Sequence, residues 1–295
     1  MTSSLLVGFD GSEASRAAVR LAARLAAGSP LALVHATPPA PLTTLTAIDN
    51  LGALVSGVPG VLGEEWTRHE ERRALELLAK GREEALAAGA REVSARHLLG
   101  RPADVLSDLA ASMASELVVV GPHGHGAWAR TLVGSVTDEL LRHAHVPVLV
   151  ARSDHLGHVV VGVDGSPGSL RAAALAGSLA RRTAAAVELV AAVEFPLETF
   201  VEARAAVRDL LEREARQWFA KARATMNGTP STEVVVFHEP VHALLTHAQR
   251  TKADLVVVGR RGPGEGVRHL LGSVSRRVAL TAPMSVLVVP AASLE

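Results

Sequence analysis

Residues 116–124 read ELVVVGPHG, and after nine intervening residues come Gly134 and Ser135. The arrangement returns at residues 254–262, DLVVVGRRG, again with nine residues before Gly272 and Ser273. A short apolar run closed by glycine reads as a strand buried on both faces, the kind found in parallel sheets. Far upstream of each copy lies a second shared element: Val7-Gly8-Phe9-Asp10-Gly11-Ser12 before the first, Val161-Gly162-Val163-Asp164-Gly165-Ser166 before the second. Two motifs duplicated in the same order make the chain a tandem repeat. The repeated part has the composition of a phosphate-binding site.

Each copy alternates β-rich runs with amphipathic stretches, the signature of an α/β unit with a parallel sheet. The first copy predicts strands near 4–10, 31–36, 92–98, 116–121 and 147–151, with helices near 12–28, 64–88, 102–114 and 134–144. The second predicts strands near 158–164, 186–193, 232–237, 254–259 and 285–290. Its helices fall near 168–183, 198–226, 240–251 and 272–281. Ser12 suits a helix cap and Pro167 a first helical turn. The polar stretch Ser153–Gly157 divides the chain into expected domains 1–153 and 154–295. The offset between copies is 154 at the aspartates and 138 at the glycine loops, so the first copy holds 16 more residues between its motifs. They fall in Pro38–Gly63, read either as a surface loop or as a lid beside the first site.

Five-stranded parallel sheets of this size commonly run 3-2-1-4-5, and ligands bind where the chain reverses between strands 1 and 4. The Asp-Gly-Ser turn leaves strand 1 and the glycine loop leaves strand 4, so both motifs converge on that crevice. Glycines let a backbone approach an anion and aim successive N–H groups at it. Gly134-Ser135 and Gly272-Ser273 open the fourth helix of each copy, whose N-terminus carries unsatisfied donors and partial positive charge. Ser135, Thr137, Ser273 and Ser275 add hydroxyls on that turn. Asp10 and Asp164 repel phosphate but suit a ribose hydroxyl or an adenine amine. They also suit turns, where aspartate bonds its own backbone.

Composition narrows the alternatives. Lys+Arg and Asp+Glu balance at 30 each and aromatics are 3% of the chain, so no basic, aromatic-laced surface for nucleic acid is expected. With zero cysteines, disulfides, thiolate metal sites and thiol redox chemistry are excluded. No basic leader precedes Leu5–Phe9, and no apolar run approaches the ~18 residues of a membrane span. A soluble cytoplasmic protein is the expectation, with no membrane partner. Of 13 histidines, His123-x-His125 and His143-x-His145 have a two-residue spacing but no evident third ligand, so no metal site is expected. The carboxylates of 64–84 and 198–214 alternate with Arg and Lys at helical spacing, as solvated faces do. No G-x-S-x-G elbow, phosphate-lysine loop or H-E-x-x-H motif is present.

The double G-x-x-G-x9-G-[ST], the Val-Gly-x-Asp-Gly-Ser starts and the Val146–Val150 segment VPVLV resemble the universal stress protein family, specifically its tandem, ATP-binding branch. The resemblance spans residues 4–151 and 157–290. It implies two tandem open five-stranded parallel sheets of order 3-2-1-4-5 with helices on both faces, a Rossmann-like or HUP α/β fold. It further implies ATP in each domain, with a divalent cation such as Mg carried on the phosphates, and dimerisation largely through the last strand. Carried over residue by residue, Gly8, Asp10, Gly162 and Asp164 take the strand-1 positions, the aspartates meeting the nucleoside. The backbones of Ala36 and Ala192 recognise adenine. Gly121, His123, Gly124, Gly134, Ser135 and Thr137 take the phosphate positions of the first site; Gly259, Arg261, Gly262, Gly272, Ser273 and Ser275 take those of the second. Pro122 departs where a serine is common, and His238 stands where Gly100 stands in the first copy.

The function expected is that of an ATP-binding regulatory protein of the stress response, with little or no hydrolysis, a homodimer and an unidentified protein partner. An enzyme using the same pocket, a slow ATPase or nucleotidyl transferase, is the second reading. A dimerisation module with unoccupied sites is the third.

Overall fold

A computed structural model describes residues 4–39, 61–124, 133–194, 204–260 and 271–290. In the first half, β1 (Leu5–Gly8), β2 (Leu31–Thr37), β3 (Val93–Leu99), β4 (Leu117–Val120) and β5 (Val148–Val150) alternate with α1 (Glu13–Ala26), α2 (Val61–Ala87), α3 (Pro102–Ser112) and α4 (Ser135–His143). The second half repeats the series. Its strands are β6 (His158–Gly162), β7 (Ala186–Val193), β8 (Thr232–Phe237), β9 (Leu255–Gly259) and β10 (Ser285–Val289). Its helices are α5 (Pro167–Thr183), α6 (Arg204–Thr225), α7 (Pro240–Arg250) and α8 (Ser273–Thr281). The predicted elements are recovered to within a few residues of each end. Residues 40–60, which carry most of the extra first-half segment, lie outside the described residues, as does the start of the helix expected from 198.

Local chemistry sets the helix limits. The Ser12 hydroxyl accepts the Ser15 N–H at 3.2 Å and starts α1, and Ser166 does the same for Ser169 at the head of α5. Each helix ends on an alanine in the left-handed region, Ala27 at φ 47° and Ala184 at φ 56°. The apolar residues of α1 recur at helical spacing, and Ala18, Val19, Ala22, Leu25 and Ala26 are buried.

Strands of each half pair in the order 3-2-1-4-5, and the two halves join in one ten-stranded sheet, β3-β2-β1-β4-β5-β10-β9-β6-β7-β8. The ladders are parallel except at the centre, where β5 and β10 run antiparallel with Val150 opposite Val286 and Val148 opposite Val288. Alternation along the strands feeds two cores. Leu5, Val7, Leu31 and Leu33 pack with α1, α2, α5 and α6, while Leu6, Ala32 and Val34 pack with α3, α4, α7 and α8. An unpaired last strand invites a partner, and here each half supplies the other's. These edges are used up inside the chain, so a homodimer would have to form through another surface.

Arginines fasten the seam. Arg152, just after β5, donates to Ala279 O at 2.8 Å and Met284 O at 3.3 Å near the end of α8. Desolvation pulls its guanidinium down to about 10, which leaves it charged at neutral pH. Arg260, just after β9, donates to Leu141 O at 2.9 Å and Ala144 O at 2.8 Å at the end of α4. Nη2 of Arg182 donates to both carboxylate oxygens of Glu116, at 2.7 and 2.9 Å, tying α5 to the start of β4.

Candidate functional site

At the carboxyl ends of β1 and β4 lies a cavity of about 520 Å³. Gly8 and Asp10 from the end of β1 line it, with Ala36 from β2. Gly121, His123 and Gly124 enter from the loop after β4, and Gly134, Ser135 and Thr137 from the start of α4. All nine first-copy positions singled out in the sequence therefore meet in one crevice. The second cavity, about 370 Å³, occupies the matching place between β6 and β9. Gly162, Asp164, Ala192, Gly259, Gly272 and Ser275 line it. Ser273 starts α8 but is exposed and does not line the cavity. Arg261, Gly262 and His125 lie outside the described residues.

Asp10 serves as a turn former. Its Oδ1 accepts the Ser12 N–H at 3.0 Å and the Ser12 hydroxyl at 2.6 Å, and Asp164 repeats both bonds with Ser166 at the same distances. One carboxylate oxygen thus fixes the turn while the residue still faces the cavity. Oδ2 of Asp10 lies 2.3 Å from where a Cβ on Gly124 would stand, so the glycine loop closes directly onto the aspartate.

Gly121 and Gly259 have a packing role beside the one their motif suggests. Neither has a positive φ, and although both line their cavities, each also faces a helix. A Cβ on Gly121 would sit 2.9 Å from the Ala14 carbonyl carbon in α1; one on Gly259 would sit 2.6 Å from the Gly168 carbonyl carbon and 2.8 Å from Ser169 N in α5. They let the helix after strand 1 pack against the end of strand 4. The hydroxyls of Thr137 and Ser275 are likewise spent on backbone. Thr137 donates to Gly121 O at 2.9 Å and Ser275 to Arg260 O at 2.8 Å. They lock the glycine loop to the helix rather than present a free proton to a ligand.

What remains available for an anion is main-chain chemistry. Helices α4 and α8 begin at Gly134 and Gly272, neither of which supplies a side-chain cap. The first-turn N–H groups, from Ser135, Val136 and Thr137 in the first site, have no partner within the helix. These three residues line the cavity. In the same cavity the Nδ1 of His123 is buried without a hydrogen-bond partner among the described residues. A buried polar atom left unpaired in a native site calls for a ligand or water.

Among the cavity residues that the sequence reading did not single out are His35 and Trp218. His35 lies on β2 beside Ala36, and its Nδ1 donates to Phe9 O at 2.8 Å, holding the chain just before Asp10. It stacks on His97 at 5.8 Å, whose own proton affinity is lowered by burial and by the charge of His35. Trp218 of α6 lines the second cavity. Nothing in the local pattern separates either residue from a strand or helix core position. Aligning the two copies reveals them, because Ala191 and Leu77 stand at the matching places. Among the described residues no cluster of three or more His, Asp or Glu side chains could hold a metal ion, and no helix is long and apolar enough to cross a membrane.

Two doubly wound α/β units sharing one sheet, each with a crevice at its switch point, define a tandem protein of the Rossmann-like class. The comparisons give the family. The chain belongs to the universal stress protein family, whose model matches residues 1–152 and 155–290. It is similar to a universal stress protein of Mycobacterium tuberculosis strain H37Rv, 34% identical over 302 residues, spanning 96% of this chain and 95% of that protein. Among solved structures, a universal stress protein from Archaeoglobus fulgidus superposes with a TM-score of 0.68 at 19% identity, covering 100% of this chain and 98% of its own. One from Pseudomonas aeruginosa gives 0.63 at 16% identity, covering 98% and 93%. At those identities the structural likeness speaks for the fold.

Proposed function

We propose that this chain is an ATP-binding regulatory protein of the stress response, with one nucleotide site in each of two domains, 1–153 and 154–295. The observation that carries the proposal is the uncapped N-terminus of α4 opening into the same cavity as the unpaired, buried Nδ1 of His123. Together they form a cradle for oxygen anions, repeated in backbone form at α8. The opposite end of each cavity supports a nucleoside, with Asp10 or Asp164 near a ribose and the backbone of Ala36 or Ala192 near adenine. A cavity of about 520 Å³ is within the ~300–1,000 Å³ range of small-molecule sites. A divalent cation such as Mg would come with the phosphates, since the described residues offer no cage of their own.

Oδ1 of Asp10 is committed to its own turn, and the sequence has no phosphate-lysine loop. Turnover therefore belongs far below the ~10 per second of a median enzyme. Nucleotide occupancy would act by favouring one conformation or partner state over another, as any such switch requires. A homodimer, through a surface other than β5 and β10, and a cytoplasmic location complete the proposal; light scattering at twice the 30.7 kDa chain mass tests the former.

The decisive measurement is chromatography of nucleotide released by heat-denaturing freshly purified protein, followed by calorimetric titration with ATP. The expected result is ATP released intact and up to two sites per chain. Absence of both released nucleotide and ATP binding would leave a dimerisation module, and rapid ATP turnover would move the protein to the enzyme class.

A further inference from the structure

The two cavities share a backbone plan but differ in their walls. Helices α2 and α6 correspond through Ala74-Leu-Glu-Leu-Leu-Ala-Lys-Gly81-Arg and Ala215-Arg-Gln-Trp-Phe-Ala-Lys-Ala222-Arg, which puts Trp218 where the first copy has Leu77. Leu77 packs against the core and does not line the first cavity; Trp218 packs against the same core and lines the second. The indole also has a defined seat. Gly165, between Asp164 and Ser166, has φ +76°, and a Cβ there would fall 2.5 Å from Trp218 Cδ1 and 2.7 Å from Nε1. The ring therefore lies against the very turn that presents Asp164 to the cavity.

That position is at the nucleoside end. The backbone anion cradle at the uncapped start of α8, beside Gly272, follows β9, whereas Trp218 adjoins the turn after β6. An aromatic face beside a ribose and base contributes about 1–3 kcal/mol per stacked base and is indifferent to phosphate. Among the described residues the first cavity has no tryptophan: His35 lies on its wall where the second has Ala191, and Phe9, which also lines it, has its ring in the core against Gly81. We propose that Trp218 is an affinity-determining residue of the second site, contacting the nucleoside directly, and that the two sites are consequently unequal, the second filling first. The proposal rests on the nucleotide reading above.

Calorimetric titration of nucleotide-free full-length protein with ATP, adenosine and tripolyphosphate tests it. Wild type should show two ATP classes separated about tenfold, the ratio given by ~1.4 kcal/mol. Trp218→Leu, which installs the first copy's residue, should weaken the tighter class about tenfold for both ATP and adenosine while leaving tripolyphosphate unchanged. Trp218→Phe should restore most of the affinity. A second arm needs no change at residue 218: with Trp66 and Trp128 replaced by Phe, Trp218 is the sole tryptophan, and its emission should shift as the tighter class fills. Two ATP sites with Trp218→Leu indistinguishable from wild type, or Trp218 emission flat while both sites fill, would overturn the assignment and leave nucleotide binding standing. No ATP binding by wild type would instead overturn the nucleotide reading itself.

Discussion

Replacing Gly259 by alanine sets two opposed effects against each other, and the structure decides the sign. The backbone at Gly259 has no positive φ, so alanine there should reduce the freedom of the unfolded chain and stabilise by about 0.4–1 kcal/mol. Against this, the added methyl would stand 2.6 Å from Gly168 C, 2.8 Å from Ser169 N and 3.1 Å from Gly168 O. All three are main-chain atoms in the first turn of α5, so no side chain can rotate aside. The helix itself must move off the sheet, and overpacking of this kind costs about 1–3 kcal/mol, with backbone contacts at the upper end. The net expectation is a loss of about 2 kcal/mol. With an unfolding entropy near 2.1 cal/mol/K per residue, about 0.6 kcal/mol/K for 295 residues, Tm should fall by about 3 °C. Gly162→Ala is the control, because its methyl would meet only side-chain ends, the nearest being Leu244 Cδ1 at 3.2 Å. Circular dichroism melts of nucleotide-free protein compare the two. A Tm for Gly259→Ala at or above that of Gly162→Ala and wild type would refute the packing argument and return the glycine to ligand approach. It follows that a loss of ATP binding in a Gly259 variant has meaning only alongside its melt.

The other predictions concern the seam and the histidine pair. Arg260→Met removes the two donors at Leu141 O and Ala144 O, and urea unfolding should report a loss of about 2–4 kcal/mol; a change under about 0.5 kcal/mol would show the clamp to be ornamental. His97 takes up protons less readily in the folded chain than its ordinary value of 6.5. Its contribution to stability is therefore complete above pH 6.5 and is lost as pH falls through the lower folded value. His35, Glu70 and Glu71 are the charged neighbours that modulate it, with desolvation the largest cause. His97→Gln should make the unfolding midpoint less sensitive to acidification from pH 8 to 5.5, and an unchanged pH profile would contradict this.

The sequence alone determined the repeat, the strands and the crevices. Buried parallel strands need uninterrupted apolar runs, and segments such as LVVV at 117–120 and 255–258 are legible because both faces are covered. Once those strands were ordered 3-2-1-4-5, the two motifs could meet only at the switch point, and the described motif positions other than Ser273 line the cavities there. Tertiary structure decided what no local period encodes. Val148–Val150 and Ser285–Val289 read equally well as edges for a second molecule or for each other, and only the assembled sheet pairs them within the chain. The motif glycines reveal the absence of a side chain but not what occupies its place, which proved to be the backbone of α1 and α5. Thr137 and Ser275 look like ligand donors until their hydroxyls are found on carbonyls that only the folded loop brings near. Trp218 sits at an ordinary helical position, and its place in the cavity depends on α6 crossing the turn after β6, a contact between segments about fifty residues apart. Pattern reports which face of an element is buried; the identity of the neighbour on that face is a long-range fact, and function in this protein is written largely in those neighbours.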